Sequence, residues 1–185
     1  QKSYNGVAIV TNNKIEDIKY GFTGEINQTK ISEDLHFQKR IISGLINGIR
    51  IINVYVPNGS SLNSDKYKYK LNWLAMLKEY LVEQSKRGEP TCLLGDFNIA
   101  LNDIDIHDPD KFTGSIMASD IERNMLRKAL GSRFKDSFRV FEKFSGHWSW
   151  WDYRNNSFEL NKGWRIDHIY VSNDLLSNLK SSVIE

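Results

Sequence analysis

A single cysteine, Cys92, rules out an internal disulfide and leaves no thiol pair for a structural zinc site. It lies in an apolar run and reads as a small buried hydrophobe, and the scarcity of thiols suits a reducing, cytoplasmic setting. The four histidines, His36, His107, His147 and His168, are too scattered for metal-ligand spacing. No stretch approaches the ~18 consecutive apolar residues of a membrane span, and no charged-then-apolar leader is read. No membrane association is therefore expected. A net charge of +2 is too small to name a partner. Internal repeats and low-complexity tracts are absent. What remains is an ordinary globular composition, 40% hydrophobic and 26% charged, in a one-domain length of 185 residues. Five tryptophans and nine phenylalanines fit a carbohydrate or nucleic-acid surface, and equally a large core.

Gly6–Asn13 alternates and ends in Asn-Asn, which predicts a strand. Strands are also expected at about 38–46 and 49–56, joined by Asn47-Gly48, a dipeptide suited to a tight hairpin. Ser64–Pro90 predicts a helix capped by Ser64 and stopped by Gly88 and Pro90. Its stripe is Tyr67, Leu71, Leu74, Leu77 or Lys78, and Leu81, with Lys86 and Arg87 in the last turn. A strand at Thr91–Ala100 follows, then a loop of some twenty residues, long enough to suggest function. Ser119–Glu122 is a capping box opening a helix to about Leu130. His147–Arg154 and Gly163–Ser172 predict further strands, and Asn178–Glu185 is strand-like. Strands with helices placed singly between them point to α+β, a layered α/β-sandwich of two packed, mostly antiparallel sheets flanked by helices. Strand-like runs at both termini suggest a single partial domain lacking terminal strands.

Three stretches bear groups suited to chemistry. In "GDFN", Asp96 and Asn98 share a strand face, so a carboxylate and an amide either work together or form a local turn. In "NVYVPNG", Tyr55 ends a strand and Asn58 follows Pro57; they offer donors to a phosphate, or pack and turn the chain. In "GWRIDHIYVS", Asp167 and His168 face opposite sides and cannot pair with each other. Asp167 instead needs a partner from another strand, as a buried structural carboxylate or a catalytic one. Trp148 and Trp150 share a face with Asp152 while Trp151 points away, so at least one tryptophan is core. Arg133, Lys135, Arg139, Lys143, Arg154, Lys162 and Arg165 are separately surface residues and together a possible phosphate track.

Taken together, "QKRII", "NVYVPNG", "LLGDFNIALNDIDI", "DSFR", "WSWWDYR" and "GWRIDHIYVS" resemble the exonuclease III / apurinic endonuclease family, in its order and spacing, from Gly6 to about Leu179. The resemblance implies Mg²⁺-dependent hydrolysis of DNA 5′ to abasic sites and 3′-to-5′ trimming, with Mn²⁺ as an alternative cation. It implies that Asp96 activates the attacking water and that Asn98 holds the same site, both near the metal. Tyr55 matches a tyrosine near the scissile phosphate, Asn58 a phosphate-contacting residue, and Asp167 the carboxylate that orients a catalytic histidine. Trp150, Trp164 and Ile166 match the wall of an abasic-sugar pocket. The implied partner is double-stranded DNA, especially abasic sites and 3′ ends, bound by a protein that is monomeric at full length.

The departures are equally specific. The family's metal-binding glutamate and asparagine precede the stretch matching Gly6, and its catalytic Asp-His pair follows the stretch matching Glu185. None of the four histidines falls at the catalytic position, and Glu33 lies in the wrong place to replace the metal ligand. These 185 residues alone are therefore expected to be close to inactive. The remaining readings are a superfamily phosphodiesterase with a non-DNA substrate, and a non-catalytic DNA- or partner-binding fragment.

Overall fold

The computed structural model describes residues 5–22, 26, 35, 39–154 and 156–185. Among these, a six-stranded sheet forms the frame. Its strands are β1 (Glu16–Tyr20), β2 (Ile41–Ile46), β3 (Ile49–Tyr55), β4 (Thr91–Asp96), β5 (Phe134–Asp136) and, later in the chain, β8 (Asp167–Ser172). Their order is β1-β2-β3-β4-β8-β5, and only the β3–β4 pair is parallel. A two-stranded ribbon, β6 (Trp150–Trp151) with β7 (Gly163–Trp164), lies apart from it. Helices whose full extent lies within the described residues are α1 (Asp65–Ser85), α2 (Pro109–Phe112), α3 (Asp120–Leu130) and α4 (Ser137–Phe141). The mixed α/β class and the multi-strand sheet flanked by helices are as expected. No helix of the described residues is long and apolar enough to cross a membrane.

Local chemistry explains where several elements begin. The β2–β3 hairpin turns on Asn47 and Gly48, with φ of 51° and 78°, the left-handed pair that a two-residue hairpin requires. Helix α1 is capped by Ser64, whose side chain accepts the Tyr67 N–H. In α3 the Ser119–Glu122 capping box is complete in both directions. The parallel β3–β4 pair follows from α1, whose length carries the chain back across the sheet.

One face of the sheet is closed. Ile52 and Val54 of β3, Leu93 of β4 and Tyr170 of β8 pack with Trp73, Leu74 and Leu77 of α1 and Leu126 of α3 in one buried cluster. The other face, with Ile51, Asn53, Tyr55, Leu94 and Asp96, is only half-buried, and Ile169 is exposed. Side-chain alternation along β3 places Tyr55 on the open face because Val54 belongs to the core.

Several expectations change. Residues 6–13 form no strand: the described residues supply no ladder there, and the contact to the sheet is Asn53 Nδ2 donating to the Ala8 carbonyl. Gln38, in the segment predicted to begin a strand, and His36 and Glu33 lie outside the described residues. The segment 147–154 contributes only the two residues of β6, and 163–172 breaks at Arg165 and Ile166 into β7 and β8. The cause of the break is a demand from below: Arg165, 1% exposed, turns inward to two aspartates. Residues 179–185 are not a strand; they follow a 3₁₀ turn, Asn173–Asn178. Lys86 and Arg87 fall beyond the last turn of α1.

Candidate active site

Three neighbouring strands deliver polar side chains at one level. Tyr55, the last residue of β3, is in register with Asp96, the last of β4, and Asp96 is in register with Asp167, the first of β8. Residues in register share a face, so the three form a row on the open side of the sheet. Strand β4 reaches this level through Gly95, whose φ is +132° and where a Cβ would collide with the Val54 carbonyl oxygen. The close approach of β3 and β4 beneath the row depends on that glycine.

Asp96 and Asn98 meet through a turn and not through strand pleat. The strand ends at Asp96, Phe97 is buried, and Asn98 adopts φ 49°. Asp96 Oδ1 accepts the Asn98 backbone N–H at 2.8 Å, and Oδ2 accepts Asn98 Nδ2 at 3.1 Å. Asn98 Nδ2 also donates to the Val56 carbonyl at 2.9 Å, and Asn98 Oδ1 accepts from Asn58 Nδ2 at 2.9 Å. The local-turn reading of "GDFN" holds, and the same turn brings the carboxylate and the amide into contact. Behind it, Asn98 is 5% exposed and closed on every side.

The two carboxylates of the row have no cationic side chain in direct ion pairing among the described residues. Asp96 is pushed up to about 6, by burial first and then by the Asp167 charge, against the Asn98 donors and the Lys70 charge. Asp167 is open to solvent on one side, yet the packing around it raises its carboxyl as well. Its partner is Ser149, from the segment leading into β6. Ser149 Oγ donates to Asp167 Oδ2 at 2.7 Å and accepts the N–H groups of Ile166 and Asp167. The partner expected from another strand comes instead from the segment before β6, and Asp167 is exposed, unlike the buried structural carboxylate that was one of its two readings. Tyr55 lies under Arg40, whose guanidinium sits 4.7 Å from the ring centre.

A cleft of about 700 Å³ opens beside Asn58 and is lined by His107, Lys111, Phe112, Trp150 and Trp164, among others. Trp164 and Ile166 belong to a small buried cluster against which Trp150 and Phe112 pack. Ile166, 3% exposed, backs the cleft without lining it. Of Trp148, Trp150 and Trp151, Trp148, at 5% exposure, is the buried one.

A second polar group lies beneath. Arg165 Nε donates to Asp105 Oδ1 at 2.8 Å, and its Nη2 to Asp136 Oδ2 at 2.7 Å. Arg139 reaches the same Asp105 oxygen at 2.6 Å. Burial alone would raise Asp105, but Arg165 and Arg139 hold it below its ordinary range. Arg139 and Arg165 are consequently withdrawn from the phosphate track that their sequence positions suggested. Arg133 is engaged at the Glu89 carbonyl and Arg154 with Asp152.

Sequence reasoning missed Lys70. It is fully buried, as is its partner Glu122, with Nζ 2.5 Å from Glu122 Oε1. The signal was present: Lys70 falls three residues after Tyr67 and four before Leu74, within the buried stripe of α1. Ser149, Asp105 and Asp136 lie within the quoted motifs but were given no role, because their partners are distant in sequence.

The chain belongs to the endonuclease/exonuclease/phosphatase family, whose sequence profile matches residues 1–185. Its relatives include the exodeoxyribonuclease of Bacillus subtilis, 31% identical with 100% of this chain and 69% of that protein aligned. Exodeoxyribonuclease III of Haemophilus influenzae is 33% identical, with 95% and 67% aligned. Among solved structures, a 3′ phosphatase from Neisseria bound to product DNA hairpin superposes with a TM-score of 0.81 at 34% identity, covering 90% of this chain and 62% of that one. The chain thus spans less than two thirds of the length of that solved relative and 67–69% of the two bacterial sequences.

Proposed function

We propose that the chain carries catalytic groups of a metal-dependent phosphodiesterase that hydrolyses double-stranded DNA 5′ to abasic sites and trims its 3′ ends. The observation that carries this reading is the Tyr55–Asp96–Asp167 row at the ends of three adjacent strands, with the two asparagines fixed behind it. Family membership and DNA-acting relatives support it. At neutral pH a carboxyl titrating near 6 is ionised and still basic enough to take a proton from water, which is the role assigned to Asp96. Asn98, held by Val56 and Asn58, fixes the Asp96 carboxylate through two N–H donors. Tyr55 presents a phenol O–H to a phosphoryl oxygen at the same level. Asp167, oriented by Ser149, orients a neighbouring donor or base. Asn58 stands at the mouth of the cleft, whose Trp150 and Trp164 faces receive a nucleotide lacking its base, with Ile166 supporting Trp164. Extruding such a nucleotide is cheap because no base pair is lost.

The donor chemistry fits a hard divalent cation, Mg²⁺ or Mn²⁺, at Asp96, a carboxylate without a cationic partner and with a second carboxylate beside it. Asn98 contributes as a donor, since its oxygen is taken by Asn58. When bound, such a cation neutralises charge on the phosphoryl and leaving oxygens. No group of three His, Cys, Asp or Glu gathers among the described residues. The full-length protein acts as a cytoplasmic monomer. The test is incubation of the full-length protein and Mg²⁺ with a duplex bearing one abasic analogue. Cleavage 5′ to the analogue is expected; an intact strand together with hydrolysis of a lipid or inositol phosphate sinks the DNA assignment.

A further inference from the structure

A fully buried ion pair is a poor device for stability. Desolvating both charges costs several kcal/mol, and apolar replacements of such pairs are commonly neutral or better. The Lys70–Glu122 pair therefore calls for another reason to exist, and its hydrogen bonds supply one. The ammonium of Lys70 has three N–H donors, and three acceptors surround it: Glu122 Oε1 at 2.5 Å, the Asn98 carbonyl at 2.8 Å and the Asn58 carbonyl at 3.1 Å. The last two are the main-chain oxygens of the two asparagines whose side chains join at 2.9 Å behind Asp96. One nitrogen thus fixes the separation of the loop after β3 and the turn after β4.

Glu122 is equally saturated. Its Oε1 also accepts the Met117 N–H at 3.2 Å, and its Oε2 accepts the Ser119 N–H at 3.1 Å and hydroxyl at 2.6 Å. The Ser119 hydroxyl in turn meets the Tyr67 hydroxyl at 2.7 Å, so α1 and α3 are tied to each other around the pair. The loop is shaped to admit the lysine. At Gly59, φ +90°, an added Cβ would stand 3.1 Å from the Lys70 Cδ. A network in which every donor and acceptor is used holds one arrangement and resists others.

We propose that Lys70, with Glu122 as its counter-ion, is a positioning residue for the Asn58–Asn98 pair and, through it, for Asp96. It touches no substrate; it sets the spacing of the groups that do. The kinetic part of the claim rests on the phosphodiesterase reading, and the spectroscopic part does not.

The test compares wild type with Lys70→Met and with the double variant Lys70→Met/Glu122→Gln, in the full-length protein with Mg²⁺ and an abasic-analogue duplex. The single variant strands a buried carboxylate and is at risk of not folding. The double variant removes both charges and keeps the helix-capping acceptor. For the double variant, kcat is expected to fall about 100-fold, the cost of misplacing a reacting group by ~1 Å, with KM for the duplex within about three-fold of wild type. A folded double variant with kcat within about three-fold of wild type overturns the proposal. A double variant that cannot fold assigns the pair to stability and overturns it as well. The ¹⁵N side-chain amide signals of Asn58 and Asn98 give a readout free of any assumption about substrate. Both are expected to shift in the double variant; unmoved signals contradict positioning even if the wild type cleaves no DNA. Shifted signals with no wild-type cleavage retain the positioning claim and discard the nuclease reading.

Discussion

Two pairs of aspartates sit on opposite sides of one short segment, residues 165–167, and are treated in opposite ways. Asp105, buried, and Asp136, half-buried, lie against Arg165 and Arg139, with every oxygen close to a cationic donor or a main-chain N–H. Asp96 and Asp167 face each other in register on the open side of the sheet and receive only neutral donors. Burial raises all buried carboxyls, but in the first pair the arginines win and Asp105 is lowered, while in the second pair both members are raised. On the proposed reading, charge matching separates scaffold from site. The matched pair holds the chain in place, and the unmatched pair stores a demand for positive charge and for a proton.

The comparison breaks most forcefully at Asp96. Asp96→Asn in the full-length protein is expected to lower turnover by about 1000-fold or more while duplex affinity stays nearly unchanged. Its effect on stability has the opposite sign. A folded-state pKa above the ordinary value means that ionisation of Asp96 works against folding, so the stability present below about pH 4 is lost as pH rises through about 6. The neutral amide is thus expected to raise the melting temperature at pH 7 by about 3 °C or more, measured by calorimetry. Near-normal turnover would remove Asp96 from the mechanism.

Arg165→Met tests the other side. It leaves Asp105 and Asp136 without their main partner in a buried setting, and a loss of about 3–5 kcal/mol in urea unfolding is expected. A loss below about 1 kcal/mol would mean that the matched pair is not scaffold.

His168 belongs to the matched region by position. Its Nε2 donates to the Ile99 carbonyl at 2.8 Å, and burial, then the nearby Arg165 charge, lower it to about 4. The unfolded chain binds the proton more readily, so stability is full above about pH 6.5 and is lost as pH falls towards 4, by up to about 3 kcal/mol. His168→Gln should flatten that part of the curve in urea midpoints taken between pH 7 and 4.5. An unchanged slope would place the pH dependence elsewhere.

The smallest effect is expected at Ser149. Ser149→Ala removes the hydroxyl that holds the Asp167 carboxylate down, so the Asp167 carboxyl should titrate higher, with a stability loss of about 1 kcal/mol. Carboxyl ¹³C shifts followed against pH read this directly.

The parts of this molecule legible in its sequence are those specified by adjacent residues. Ser119 and Glu122 announce α3, and Asn47-Gly48 announces a hairpin, because a cap or a turn is complete within four positions. Residues 6–13 carry the alternation of a strand but find no ladder among the described residues, and alternation without a ladder makes no strand. The break at Arg165 and Ile166 depends on Asp105, sixty positions away. The candidate site divides in the same manner. Asp96 with Asn98, and Tyr55 with Asn58, were legible as neighbours; the structure adds the register that aligns Tyr55, Asp96 and Asp167. Lys70 was passed over because a lysine on a helix is normally solvated, and only its place between Tyr67 and Leu74 shows that it is not.

The central claim is that Asp96 is a half-buried, unmatched carboxylate awaiting a cation. Titration of its side-chain carboxyl by ¹³C NMR, with and without Mg²⁺, tests it most directly. The account predicts a midpoint near 6 in the absence of the cation and a clear fall when Mg²⁺ is added. A midpoint near the ordinary aspartate value of about 4, unmoved by Mg²⁺, would contradict it.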